Sequence, residues 1–271
     1  MSDDVDALID ALSNPPFSGK AGNKALREAL GWSGDLDRYW AAHARAVDSG
    51  KVAPGRGKGG SVRLLSQDSA GDDLSDFPLS PEDDALIPSD VPQKEASLYA
   101  GALSVIKNAW VKSATYDSFI AENTAAKGRA ATGGKWTRPD ISLLAVKAFP
   151  YLPARQFDIV TFEIKPKGQT TVEGVFEALS HQQFATRSYV IFHLDSVDAD
   201  QFDKHPNSSR ITGTARKHGV GVILATDIGD WETWDEIIEA ARGSPDPEQA
   251  NRFIATCFTE SAKDEVIKWH K

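Results

Sequence analysis

Two carboxylates and a lysine carry the chemistry most easily read from this chain. Asp140 follows Pro139 and opens the apolar run 141–146, while Glu163-Ile164-Lys165 closes the run 157–162. In an extended strand residues i and i+2 project to the same face, so Glu163 and Lys165 point together. Carboxylate oxygens suit Mg2+, which keeps several of its waters when bound. A lysine beside them can neutralise a phosphorane oxygen or lower the pKa of an attacking water. Hydrolysis of a phosphodiester needs this equipment: a hydroxide at neutral pH and a counter-charge for the transition state. The plainer alternative is an exposed strand end with an ion pair from Glu163 to Lys165 or Lys167.

Such side chains need strands beneath them and helices behind them. The runs 141–146 and 157–162 have strand length, and residues 118–123, 188–194 and 220–225 read as further strands. Residues 95–111 carry Leu98, Ala102, Val105, Ile106 and Ala109 at helical spacing. A helix is expected over 170–186, with Val172, Val175, Phe176, Leu179 and Gln182/Gln183 inward. Glu177 and His181, one turn apart, could hold a metal but are read as solvent-facing. Helices are also expected over 208–217, 231–242 and 247–268. Strands and helices in this order predict an α/β domain with a mixed sheet over residues 94–271. The loop 127–138, with Lys127, Arg129, Lys135 and Arg138, directly precedes Asp140 and is expected beside the phosphate.

Residues 1–65 have a different pattern. Residues 5–12 place Val5, Leu8, Ile9 and Leu12 on one helical face, and Pro15-Pro16 stops that helix. Asn23 is expected to cap a second helix through Leu30, and Asp35 a third through Val47. On the third, Leu36, Trp40, Ala44 and Val47 form one stripe, and Arg38, Ala42 and Arg45 the opposite one. Residues 51–65 read as a hairpin. Its tip holds Arg56 and Lys58 between glycines, which let backbone amides approach phosphates.

The net charge of −9 argues at first against a nucleic-acid partner. Its distribution removes the objection. Residues 66–93 contain eight acids, four prolines and no Lys or Arg, whereas residues 1–65 are at +1 and residues 94–271 at −2. The acidic stretch is expected to be a self-repelling linker. Local basic clusters then decide the partner. No apolar stretch approaches the roughly 18 residues of a membrane span. The acidic start lacks a basic leader, and Cys257 stands alone, so a cytoplasmic, reducing location is expected.

The motif pair in its strands resembles the PD-(D/E)xK, or restriction-endonuclease-like, superfamily, from Glu95 to about Ala225. The resemblance implies a mixed central sheet flanked by helices. It also implies Mg2+, or Mn2+, held by Asp140, Glu163, the Ile164 carbonyl and Glu95, with Glu122 a rival for the last place. Lys165 would be catalytic, and Gln182 or Gln183 would match a glutamine many members carry in the helix after the Glu-x-Lys strand. Residues 5–65 resemble a small winged helix-turn-helix domain. Carried over, Arg38, Tyr39, His43 and Arg45 would face the major groove, and Arg56 and Lys58 would touch phosphates. Together these imply a metal-dependent endonuclease of the restriction or defence kind acting on double-stranded DNA. One active site per chain makes a homodimer on DNA plausible. A reading from another class remains open: a non-catalytic DNA-binding regulator whose nuclease-like domain oligomerises or senses a ligand.

Overall fold

A computed structural model of the chain describes residues 3–17, 19–54, 58–59, 61–65, 95–125 and 138–269. The first part runs through α1 (Asp3–Ser13), β1 (Lys20–Gly22), α2 (Asn23–Ala29), α3 (Leu36–Asp48), β2 (Val52–Pro54), β3 (Lys58–Gly59) and β4 (Ser61–Leu64). The expected hairpin is present: β2 and β4 pair antiparallel, and β1 joins on the other edge of β4. Asp35 caps α3, its carboxylate accepting from the Arg38 N–H. Asn23 does not cap α2. Gly22 takes that position, and Asn23 Oδ1 accepts from the Tyr39 hydroxyl at 2.5 Å.

That bond belongs to a buried face of α3 made of Tyr39, Ala42 and Ala46. Leu36 and Trp40, expected inside, are 49% and 44% exposed. Each side of α3 offers apolar residues, so periodicity alone does not choose between them. The buried tyrosine with a polar partner for its hydroxyl does.

The second part starts with a helix in pieces: a 3-10 turn Glu95–Ser97, α4 (Tyr99–Val105), a π-helical segment Ile106–Trp110, and α5 (Val111–Ser113). Then come β5 (Ser118–Asn123), β6 (Ile141–Lys147), β7 (Gln156–Lys165), α6 (Val172–Ser180) with a 3-10 turn His181–Gln183, and β8 (Arg187–His193). They are followed by α7 (Ser196–Asp200), α8 (Ser208–His218), β9 (Gly221–Ala225), β10 (Trp234–Ile238), α9 (Pro247–Cys257) and α10 (Glu260–Lys268). Among the described residues, six of these strands form a mixed sheet in the order β10-β9-β8-β7-β6-β5. β5, β6 and β7 are an antiparallel meander, β7, β8 and β9 run parallel, and β10 returns antiparallel.

The sheet is covered on both faces. The leading helix packs on Phe162, Ile164, Tyr189 and Ile191, while α6 and α8 pack on Val190, Phe192, Val222 and Leu224. This is a mixed α/β sheet flanked by helices. Burial on both faces explains why β8 and β9 read as unbroken apolar runs. No helix among the described residues is long and apolar enough to cross a membrane.

Three further expectations, in the second part of the chain, need correction. Residues 231–242 are not a helix: a 3-10 turn Trp231–Thr233 leads into β10, whose backbone pairs with the edge of β9. Residues 247–268 are two helices, because Phe258 and Thr259 are extended and the Thr259 hydroxyl caps α10. On α6, Phe176 is 40% exposed, and Gly174 and Ala178 face inward instead. Space under α6 is the reason: a Cβ on Gly174 would come within 3.0 Å of Lys165 Cγ, leaving no room for a large side chain.

The two parts touch. Lys58 and Gly59 pair antiparallel with Glu236 and Asp235, so β3 extends the large sheet past β10. Arg27 forms an ion pair with Glu232. The linker expected over 66–93 lies outside the described residues.

Candidate metal centre

Antiparallel pairing sets Ile141, the first residue of β6, opposite Phe162 near the end of β7. Asp140 therefore stands beside Glu163. The Ile164 N–H donates to Asp140 Oδ2 at 2.8 Å. Pro139 has no N–H to offer at this strand start; its carbonyl accepts from Thr124 Oγ1 at 2.7 Å. The strand alternation turns Ile164 into the core and brings Glu163 and Lys165 out together at the end of the sheet.

Helices on both faces complete the cluster. Glu95, at the start of the leading helix, places its carboxylate so that one oxygen each from Glu95, Asp140 and Glu163 lie within 4.8 Å of one another. Lys165 Nζ donates to Glu95 Oε1 at 3.3 Å, to Glu163 Oε1 at 2.9 Å and to Glu177 Oε2 on α6 at 2.6 Å. Asp140, Glu163 and Lys165 are buried, whereas Glu95 and Glu177 are partly open to solvent.

Four carboxylates thus face one ammonium in a poorly solvated site. Burial drives the Asp140 carboxyl up to about 7, against the opposing hydrogen bonds from Tyr99 and the Ile164 N–H. Burial, reinforced by the Asp140 charge, pushes Glu163 well above the usual carboxylate range. Burial also works against the Lys165 ammonium, but the charge of Glu163 and hydrogen bonds to Glu177 and Glu163 hold its pKa above the ordinary lysine value. At Glu177 burial is outweighed by hydrogen bonds with Glu163 and Lys165, and its carboxyl lies below its usual value.

Of the residues singled out from sequence, Asp140, Glu163, Lys165 and Glu95 meet here. Ile164 takes part through its N–H. Glu122 does not: its carboxylate accepts from the Thr259 N–H and hydroxyl at the start of α10. Gln182 turns away and donates to the His218 carbonyl at 3.0 Å, and Gln183 is exposed on the turn after α6. Arg138 is half-buried two residues before Asp140, and Lys135 lies outside the described residues.

The sequence reading missed three groups. Tyr99, one turn after Glu95, brings its hydroxyl toward Asp140, where it favours the ionised carboxylate. Glu177 and His181, expected to face solvent, point inward. His181 is fully buried, with Nε2 3.9 Å from Glu163 Oε2. Their signal was the four-residue spacing on a helix that directly follows the Glu-x-Lys strand.

The groove-facing set on α3 does not form as expected. Tyr39 is in the core, because its hydroxyl finds a partner in Asn23. Arg38 bonds Asp4 at 2.6 Å and lies over the Trp32 ring, 4.4 Å from its centre. His43 is half-buried and packs edge-on against Trp40, and burial lowers its pKa and favours the neutral ring. Arg45 remains on the exposed side, its Nε donating to the Ala41 carbonyl. The Lys58 backbone is paired in the sheet, and Arg56 lies outside the described residues.

No protein-family model matches the chain, and no curated protein or solved structure is similar to it at a significant level.

Proposed function

We propose that the chain is a metal-dependent phosphodiesterase of the restriction-endonuclease-like kind, cutting DNA at the cluster of Glu95, Asp140, Glu163 and Lys165. One observation carries the reading: groups from the leading helix, the residue before β6, and β7, up to 70 residues apart in sequence, converge on one point with an ammonium among them. The donor set fits Mg2+ or Mn2+. All three candidate ligands are hard carboxylate oxygens, and the excess of carboxylate over ammonium leaves a negative site that a divalent cation would neutralise.

Glu95, Asp140 and Glu163 would hold that ion, which supplies Lewis acidity and a bound water of lowered pKa. The Ile164 N–H orients the Asp140 carboxylate, and the Tyr99 hydroxyl favours its ionised form. Lys165 places positive charge where a phosphoryl oxygen gains negative charge, and a preorganised charge in a water-poor site stabilises it strongly. Among the described residues, partly exposed Glu95 opens one side of the cluster to solvent. Arg138, adjacent in sequence, is suited to a backbone phosphate.

Incubation of the chain with methylated and unmethylated plasmid, plus Mg2+ or Mn2+, tests the reading. Cleavage that is lost in Lys165→Ala is expected. Intact plasmid throughout, or cleavage that survives Lys165→Ala, would refute it.

A further inference from the structure

A lysine ammonium has three N–H donors, and at Lys165 each has an acceptor. Two of those acceptors, Glu95 and Glu163, belong to the candidate ligand set; the third, Glu177, does not. Glu177 also makes the shortest of the three contacts. The stem is confined, since α6 crosses it so closely at Gly174 that a Cβ there would stand 3.0 Å from Lys165 Cγ. The head group can therefore redistribute among its carboxylates while the stem stays in place.

We propose, on the premise of the metal-dependent reading above, that Lys165 is the resident counter-ion of the metal-free cluster. It competes with the divalent cation for Glu95 and Glu163, and Glu177 is the seat that retains it when the cation binds. Glu177 is thus a positioning residue. It keeps the ammonium at the edge of the site, and the two N–H groups released from Glu95 and Glu163 become available to an anionic substrate group. Without Glu177, Lys165 has only the metal ligands to bond and opposes the cation more strongly.

Calorimetric titration of the full chain with Mn2+ tests this without reference to cleavage. Lys165→Met and Lys165→Gln should each bind Mn2+ roughly tenfold more tightly than the wild type, because a competing charge a few ångströms away is gone. Glu177→Gln should weaken binding, and by a larger factor in the wild-type background than in Lys165→Met, since only the former contains the displaced ammonium. Thermal unfolding of each variant establishes that the folded protein is being titrated, and the glutamine variant keeps a polar group should methionine fail to fold. If the wild type binds Mn2+ but neither Lys165 variant binds it more tightly, the counter-ion role is overturned while the metal site stands. Equal effects of Glu177→Gln in both backgrounds overturn the role of Glu177. Absence of Mn2+ binding by every variant overturns both this inference and the metal-dependent reading.

Discussion

Asp140→Asn should stabilise the metal-free protein at alkaline pH. Asp140 is 5% exposed, and its folded-state pKa stands at about 7 against an ordinary 3.8. A carboxyl whose pKa is raised on folding favours the native state in its protonated form. That contribution is complete below the ordinary pKa and is lost as pH rises through the folded value. Each pKa unit corresponds to ~1.4 kcal/mol, so a rise of about three units amounts to about 4 kcal/mol lost between pH 4 and pH 7. Asparagine carries no charge and escapes the loss. Its carbonyl can accept from the Ile164 N–H, and its amide can donate to Glu95 or Glu163, both ligand neighbours of Asp140. Urea unfolding followed by fluorescence of the seven tryptophans measures the difference. The two proteins should have similar stability near pH 4, the variant should lead by about 2 kcal/mol near pH 5.5, and the lead should approach 4 kcal/mol by pH 8. Mn2+ should restore the wild type at pH 8 and leave the variant largely unmoved. A gap independent of pH, or a variant less stable than the wild type at pH 8, would refute the assignment of a costly buried charge to Asp140.

Tyr99→Phe removes a hydroxyl that favours ionised Asp140, so the pH at which Mn2+ binding reaches half its maximum should move upward, as calorimetry across pH 5.5–8.5 would record. Gly174→Ala forces a Cβ against Lys165 Cγ, Val190 and Phe192; a loss of about 1–3 kcal/mol in urea unfolding is expected, with slower plasmid cleavage because the lysine is displaced. Asp158, at the opposite end of β7, accepts from Arg242, Gln156, Tyr116 and Thr186. Asp158→Ala should cost about 3–5 kcal/mol of stability while leaving Mn2+ affinity unchanged, separating structural from site effects.

The strands were the legible part of this fold. β5 occupies residues 118–123 as expected, and β6 to β9 fall where apolar runs of strand length predict them, because burial on both faces of a sheet leaves little room for polar residues. Misreadings collected where two periodicities fit the same residues. Residues 231–242 place Trp231, Trp234 and Ile238 at helical spacing, yet Trp234 to Ile238 pair with β9, a long-range contact that local pattern does not contain. The hairpin around residues 51–65 was readable from its glycines. That Lys58 and Gly59 would turn aside to pair with β10 was not, since an edge strand takes a partner from anywhere in the chain.

The candidate site divides along the same line. Asp140, Glu163 and Lys165 announce themselves because strand geometry fixes their relation within a few residues. Glu95 could be matched only by resemblance, and Glu177 looked like an ordinary helix-surface acid. What makes Glu177 part of the cluster is Gly174, one turn earlier: without a side chain there, α6 settles onto the Lys165 stem, and Glu177 arrives over the ammonium. A glycine in a helix interior costs about 1 kcal/mol relative to alanine. Here that cost is set against a close approach that a Cβ would crowd at 3.0 Å, and the approach delivers the one acceptor among the three contacts of Lys165 that a metal ion would leave in place. On the proposed reading, the residue that would hold Lys165 against a cation is thus set by packing beneath a helix, not by the Glu-x-Lys strand end.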